Sequence, residues 1–176
     1  MANPIANFPK GFTNGVAING MPVFQTFSTS AGPANTSNSG VYWVDSVNGA
    51  DGNPGTYVLP LATIGRAFAL VKAYDVIMLK PGHAETLANA TAASTLWNVA
   101  NVSIVGLGYG AQRPTFSMSA TTSTITPSAA NISVQNVLFL GTAATTFVAS
   151  CFTVTTAKDF RVDGCEFRDS SATTGF

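Results

Sequence analysis

Asn131-Ile132-Ser133-Val134-Gln135-Asn136-Val137-Leu138-Phe139 is one copy of a unit that the chain writes three times. Asn101-Val102-Ser103-Ile104-Val105-Gly106-Leu107-Gly108-Tyr109 lies beneath it without a gap, as does Asp159-Phe160-Arg161-Val162-Asp163-Gly164-Cys165-Glu166-Phe167. Each copy opens on an Asx residue, with apolar residues second and fourth, Gly or Asn sixth, an apolar residue seventh and an aromatic ninth. The copies stand 30 and 28 residues apart. That is the period of a repeat architecture, in which one supersecondary unit cannot bury its apolar face alone and stacks on the next.

Apolar residues two apart, as at Ile132 and Val134, share one face of a strand, and helical spacing is absent. Gly106, Asn136 and Gly164 are residue types that tolerate positive φ, so a left-handed corner is expected at the sixth place. The seventh and ninth places then point inward again on a second short strand. Strand, corner, strand and return make the rung of a parallel β-helix, each rung bonded to its neighbours at about 4.8 Å. The expected rung core is Val102, Ile104 and Leu107; Ile132, Val134, Val137 and Phe139; and Phe160, Val162, Cys165 and Phe167. The competing reading is a β-sandwich with accidental self-similarity.

Charged residues make up 9% of the chain, against about 25% in an ordinary globular protein. Between Thr86 and Ala157 the sole charge is Arg113, and Ser, Thr and Asn carry the polarity. Soluble monomers protect β-surfaces with Lys and Glu, so this surface reads as buried against other subunits. The alternative is a secreted β-protein kept soluble by Ser, Thr and Asn. A net charge of zero offers no basic patch for nucleic acid. No apolar run is long enough to cross a membrane as a helix, and Met1 to Lys10 lacks the pattern of a secretory signal. Cys151 and Cys165 form no metal-ligand or redox motif, and Cys165 reads as a small inward filler.

Three segments are expected. Residues 1–40 form an extended arm, rich in Pro, Gly and Asn but carrying Phe8, Phe12, Phe24 and Phe27. Asn19-Gly20, between Val16-Ala17-Ile18 and Met21-Pro22-Val23, signals a tight hairpin with Pro22 on an edge strand. With Ile18 and Met21, the four phenylalanines are the candidate docking residues of this arm; a strap over the chain's own first rung is the other reading. Residues 41–74 supply a lead-in strand, a turn-rich loop and a capping helix over about Thr63 to Ala73, with Ile64, Ala67, Phe68 and Val71 on one face. Residues 75–176 carry the rungs, starting at Asp75 to Gly82. With no helix after Asp169 in the sequence, either another molecule or further chain is expected to close that end.

Two places hold ionisable groups close enough to weigh as chemistry. Asp163 and Glu166 flank the Gly164 corner beside Arg161 and Arg168, and read as a solvated ion-pair patch. His83 and Glu85 lie two apart after a Pro-Gly turn and can share a strand face as base and acid, although a surface His is more often structural. Hydrolysis of a glycan needs paired carboxylates, and elimination needs a base with an electrophile. The middle rungs carry almost no such groups, so no catalytic, cofactor or metal residue is assigned, and the chain is expected not to be an enzyme.

Several segments resemble known families. Asp51-Gly52-Asn53-Pro54-Gly55-Thr56, Pro60-Leu61-Ala62-Thr63-Ile64 and Asp75-Val76-Ile77-Met78-Leu79-Lys80-Pro81-Gly82 resemble the lead-in of pectin-lyase-like right-handed β-helices. Asn3 to Phe12, Gly15 to Pro22, Pro81 to Thr86 and Gly106 to Pro114 are similar to segments of structural proteins of tailed bacteriophages. The resemblance implies an all-β, right-handed parallel β-helix in a virion component: a homotrimeric capsid decoration or head spike. It would be made in the host cytoplasm and dock through its arm on other virion proteins, with the major capsid protein as the expected partner. The second role it implies is a tail fibre or tailspike module that binds or degrades a host glycan. No cofactor, nucleic acid or membrane partner is expected.

Overall fold

The computed structural model describes residues 16–18, 21–24, 40–88, 95–143 and 147–170, the first two stretches by backbone alone. It comprises two units, residues 1–39 and 40–176. In the first, Val16–Ile18 (β1) and Met21–Phe24 (β2) pair antiparallel, with Ala17 opposite Pro22. A hairpin is the arrangement that an Asn-Gly step between two apolar runs favours. Phe8, Phe12 and Phe27 lie outside the described residues.

The second unit is built from short strands in which buried residues alternate with half-buried ones. Val41–Val44 (β3), Val76–Leu79 (β4) and Ser103–Gly106 (β7) all show this alternation, the mark of a strand with one face in the core. Between them come Ile64–Leu70 (α1), Ala84–Leu87 (β5) and Leu96–Trp97 (β6). Thr115–Met118 (β8), Thr126–Pro127 (β9), Ser133–Gln135 (β10), Leu138–Gly141 (β11), Arg161–Asp163 (β12) and Glu166–Asp169 (β13) follow.

These strands pair only in parallel, each with its counterpart from the neighbouring turn of chain. One sheet has the order β12-β10-β7-β4-β3, a second β13-β11-β8-β5, and a third, short one joins β6 to β9. The chain therefore coils, returning to the first sheet once per turn and passing through the second in each turn from β4 onward. Ser133 stands against Ser103 on one side and Arg161 on the other, the register set by the repeat. Tyr42, Ile77, Ile104, Val134 and Val162 form one inward row of the first sheet, and Phe116, Phe139 and Phe167 lie in an inward row of the second. Phe139 stacks on Phe116 at 6.0 Å and on Phe167 at 5.3 Å between ring centroids. Ring-on-ring contact of this kind adds to the burial that holds successive turns together.

The corners show where the repeat was misread. Asn136 and Gly164 do take positive φ, at 53° and 58°. Gly106 does not; a Cβ there would stand 2.2 Å from the Asn136 carbonyl oxygen, so close backbone approach requires that glycine. The opening Asx places are left-handed as well: Asn101, Asn131 and Asp159 have φ of 59°, 57° and 57°. Asn and Asp bear this conformation at least cost among non-glycine residues. The Asn131 side-chain amide donates to Asn101 Oδ1 at 2.9 Å, which ties two such corners together.

Other elements differ from expectation. Val41–Val44 is not a lead-in but the first strand of the five-stranded sheet, paired in parallel with β4, so α1 lies within the coil's first turn. The helix ends at Leu70, with Val71 already extended. Thr63 caps it by accepting from the Arg66 N–H at 3.1 Å. Tyr109 points outward and Leu107 is half-buried, because a loop with a 3-10 turn at Gly110–Gln112 interrupts the first copy after its corner. Phe116, from beyond that loop, fills the row in which Phe139 and Phe167 stand. At β12 and β13 the row residues are partly open, Val162 to 37% and Phe167 to 50%.

Candidate functional site

Ionisable groups gather in two places, one in the first turn of the coil and one in the last described turn. In the first, the Asp45 carboxylate is buried and accepts from the N–H groups of Val47 and Asn48 at 2.9 and 3.2 Å and from the Asn48 amide at 3.1 Å. Lys80 Nζ stands 3.7 Å from it and 4.5 Å over the Tyr57 ring. Burial pushes the Asp45 carboxyl up, but these donors and the ammonium outweigh it and hold the group below its ordinary range.

His83 is buried beneath the same loop, 1% exposed, rather than on the surface. Its Nδ1 accepts from the Ser46 N–H at 3.1 Å, which leaves the proton on Nε2, 3.6 Å from Glu85 Oε2. The same Glu85 oxygen accepts from the Ile64 N–H at 2.8 Å, and Ser46 Oγ accepts from the Ala84 N–H at 2.9 Å. The expected sharing of a face by His83 and Glu85 is therefore real. Both side chains already hold protein groups: together they fasten the Asp45–Asn48 turn and the start of α1 to β5.

The second cluster lies on the outer surface around the Gly164 corner. Glu166 accepts from Arg113 Nη1 at 2.9 Å and from Arg168 Nε at 3.0 Å, and Arg161 pairs with Asp163 at 3.6 Å. Arg113 was missed as a member because it lies 53 residues from Glu166 in sequence. The loop that interrupts the first copy carries it there. Arg113 is mostly buried there, 23% exposed, whereas Arg168 is 57% exposed, and an exposed guanidinium is suited to anionic or hydroxyl-rich ligands.

Neither cysteine is a nucleophile in this setting. Burial, then the neighbouring Cys165, pushes the Cys151 thiol up to about 12, and burial also raises Cys165. Of the arm's candidate docking residues, Ile18 lies in β1 and Met21 and Phe24 in β2. Among the described residues, no group of three or more His, Cys, Asp and Glu is disposed to hold a metal ion.

No family model and no curated protein matches the chain. Among solved structures, a rhamnogalacturonan lyase is similar at 23% identity, with a TM-score of 0.49. The match covers 73% of this chain and 37% of the lyase, so the chain spans well under half of that protein's length. The fold, by its own strand pairing, is a parallel β-helix. This is the fold class read from the repeat, and the β-sandwich alternative falls away.

The expectation that the chain is not an enzyme is corrected by the same comparison, since the similar structure is that of an enzyme. The physical fault in the expectation is plain. Sparse charge along the middle turns describes only those turns, whereas the ionisable groups sit at the two ends of the stack. A β-helix does not decide between catalysis and construction.

Proposed function

We propose that the chain is a virion component of the capsid-decoration or head-spike type. In this reading it docks on the major capsid protein through its N-terminal arm and assembles as a trimer of β-helices. The observation that carries the reading is the outer face of the five-stranded sheet. Its two outward rows are Val41, Val76, Ser103 and Ser133, then Trp43, Met78, Val105 and Gln135, with no charge until Arg161 and Asp163. All eight residues are half-buried, in a chain with few charges to spare. Charge depletion with apolar and aromatic side chains is the composition of an interface core. The similarity of Asn3 to Phe12 and Gly15 to Pro22 to segments of tailed-phage structural proteins supports the same assignment.

The test is co-sedimentation of the purified chain with particles that lack it, beside a variant without residues 1–40. The full chain is expected in the pellet and the shortened one in the supernatant, with unchanged β-sheet circular dichroism. Equal pelleting of both would remove the anchoring role of the arm. Sedimentation velocity on the free chain is expected to give a trimer.

A tail fibre or tailspike module that binds or degrades a host polysaccharide is the second reading. The cluster at the Gly164 corner favours it, because the exposed guanidiniums of Arg161 and Arg168 beside carboxylates suit an acidic glycan. Appearance of new reducing or unsaturated sugar ends on incubation with capsular or lipopolysaccharide glycans would move the assignment to this reading.

A further inference from the structure

From β4 onward, each turn of the coil enters the first sheet through one left-handed residue, two places before the strand begins. By register these are Tyr74, Asn101, Asn131 and Asp159, with φ of 75°, 59°, 57° and 57°. Their backbones form one column. The Tyr74 N–H donates to the Asn101 carbonyl at 3.1 Å, and those of Asn101 and Asn131 donate to the Ala130 and Lys158 carbonyls at 2.9 and 2.8 Å. Three of the four places hold the residue types that bear this conformation cheaply; Tyr74 does not, and a bulky side chain there is an outlier. Strain of this kind is kept where function needs it. The fold gains nothing from the ring: Tyr74 is 80% exposed, and among the described residues its ring meets no other ring and its hydroxyl no hydrogen-bond partner.

Tyr74 also cuts short an amide ladder. Asn131 Nδ2 donates to Asn101 Oδ1 at 2.9 Å, and the next acceptor of that series would come from position 74. Among the described residues, the Asn101 amide N–H groups and the Asn131 side-chain oxygen are therefore unspent. A solvent-facing ring beside unspent amides offers an apolar plate for the C–H face of a sugar, with donors and an acceptor for its hydroxyls. Successive turns lie about 4.8 Å apart, so the three residues span about 10 Å along the coil axis. The charges that flank the column in sequence cancel, Lys72 against Asp75 and Lys158 against Asp159. That balance favours a neutral ligand over an anionic one.

We infer that Tyr74, Asn101 and Asn131 form a binding site for a neutral glycan, which lies along the coil with one sugar ring on Tyr74 and its hydroxyls on the two amides. The site stands at the opposite end of the first sheet's strands from the Gly164 corner, where an acidic glycan was weighed, and it does not depend on the virion role proposed above.

An array of neutral and acidic bacterial oligosaccharides, probed with the full chain, tests it. Neutral members are expected to bind. In calorimetric titration with the strongest of them, Tyr74→Ala is expected to weaken binding by roughly tenfold or more, and Tyr74→Phe to stay close to the unaltered chain. Tyr74→Asn puts into this corner the residue that the next two turns use. It is expected to raise the thermal midpoint while losing the glycan, an outcome that a merely structural tyrosine would not give. Binding to acidic members alone, binding that Arg161→Ala or Arg168→Ala abolishes and Tyr74→Ala leaves intact, or a Tyr74→Asn variant with a lower thermal midpoint would overturn the site. So would an array on which no member binds.

Discussion

Gly106 and Asn136 are neighbours at one corner and need their residue types for different reasons. Asn136 has a left-handed backbone and donates through Nδ2 to the carbonyls of Gly106 and Gly108 at 2.8 and 3.0 Å. Gly106 has no such φ but lies where any Cβ would run into the Asn136 carbonyl. Backbone is what it meets, so the clash cannot be relieved by a side-chain rotation. Gly106→Ala is expected to cost more than about 2 kcal/mol in urea unfolding, against about 1 kcal/mol for losing a single hydrogen bond. Asp45 provides a second expectation, in pH. Its folded carboxyl is held low, so its contribution is complete above the unfolded value of about 3.9 and is lost as pH falls through the lower, folded value. Asp45→Asn is therefore expected to lower the thermal midpoint at neutral pH, with the gap to the unaltered chain closing in strong acid. A gap independent of pH would show that the carboxylate's charge is not what matters there.

Elements in this fold are short, and their stability is shared across turns. Trp97, in a two-residue strand, is wholly buried and touches Phe68 of α1 at 5.7 Å, Phe152 at 6.0 Å, and Phe116 and Phe160 at 6.4 Å. It thus joins the helix to later turns of the coil. Trp97→Ala is expected to lose about 3–5 kcal/mol, whereas Leu96→Ala, at a 40% exposed neighbour, is expected to stay within about 1 kcal/mol. Equal losses would mean that the column of rings does not carry the packing. The register of β7, β10 and β12 was legible because alternation and an Asx opener recur in step. The place of β3 was not: Val41 pairs with Val76, and the loop and α1 between them break the period. Nor was the corner at Tyr74, which has φ of 75° and donates its N–H to the Asn101 carbonyl at 3.1 Å. A tyrosine gives no hint of a left-handed place that Asn and Asp fill in the later turns. Tyr109 misled for the opposite reason, since an inserted loop brought an aromatic to the right count and the wrong side.

Among the described residues of the second unit, one apolar column is wrapped by strands, and the outer face of the five-stranded sheet is uncharged from β3 to β10 and ionic at β12. Of the candidate site, the pairing of Arg161 with Asp163 and of Glu166 with Arg168 was readable from residues two apart on a strand. Arg113 and the burial of His83 were not, because both depend on which loop folds over which turn. Everything proposed for assembly rests on the coil being stacked in parallel at fixed offsets, and amide-resolved NMR measures this most directly. Cross-strand contacts are expected to link Ser103 with Ser133, Ile104 with Val134 and Val105 with Gln135, then Ser133 with Arg161 and Val134 with Val162, at one constant offset along each pair of strands. Contacts whose partners run in opposite directions along these strands would show hairpins instead and contradict the coil.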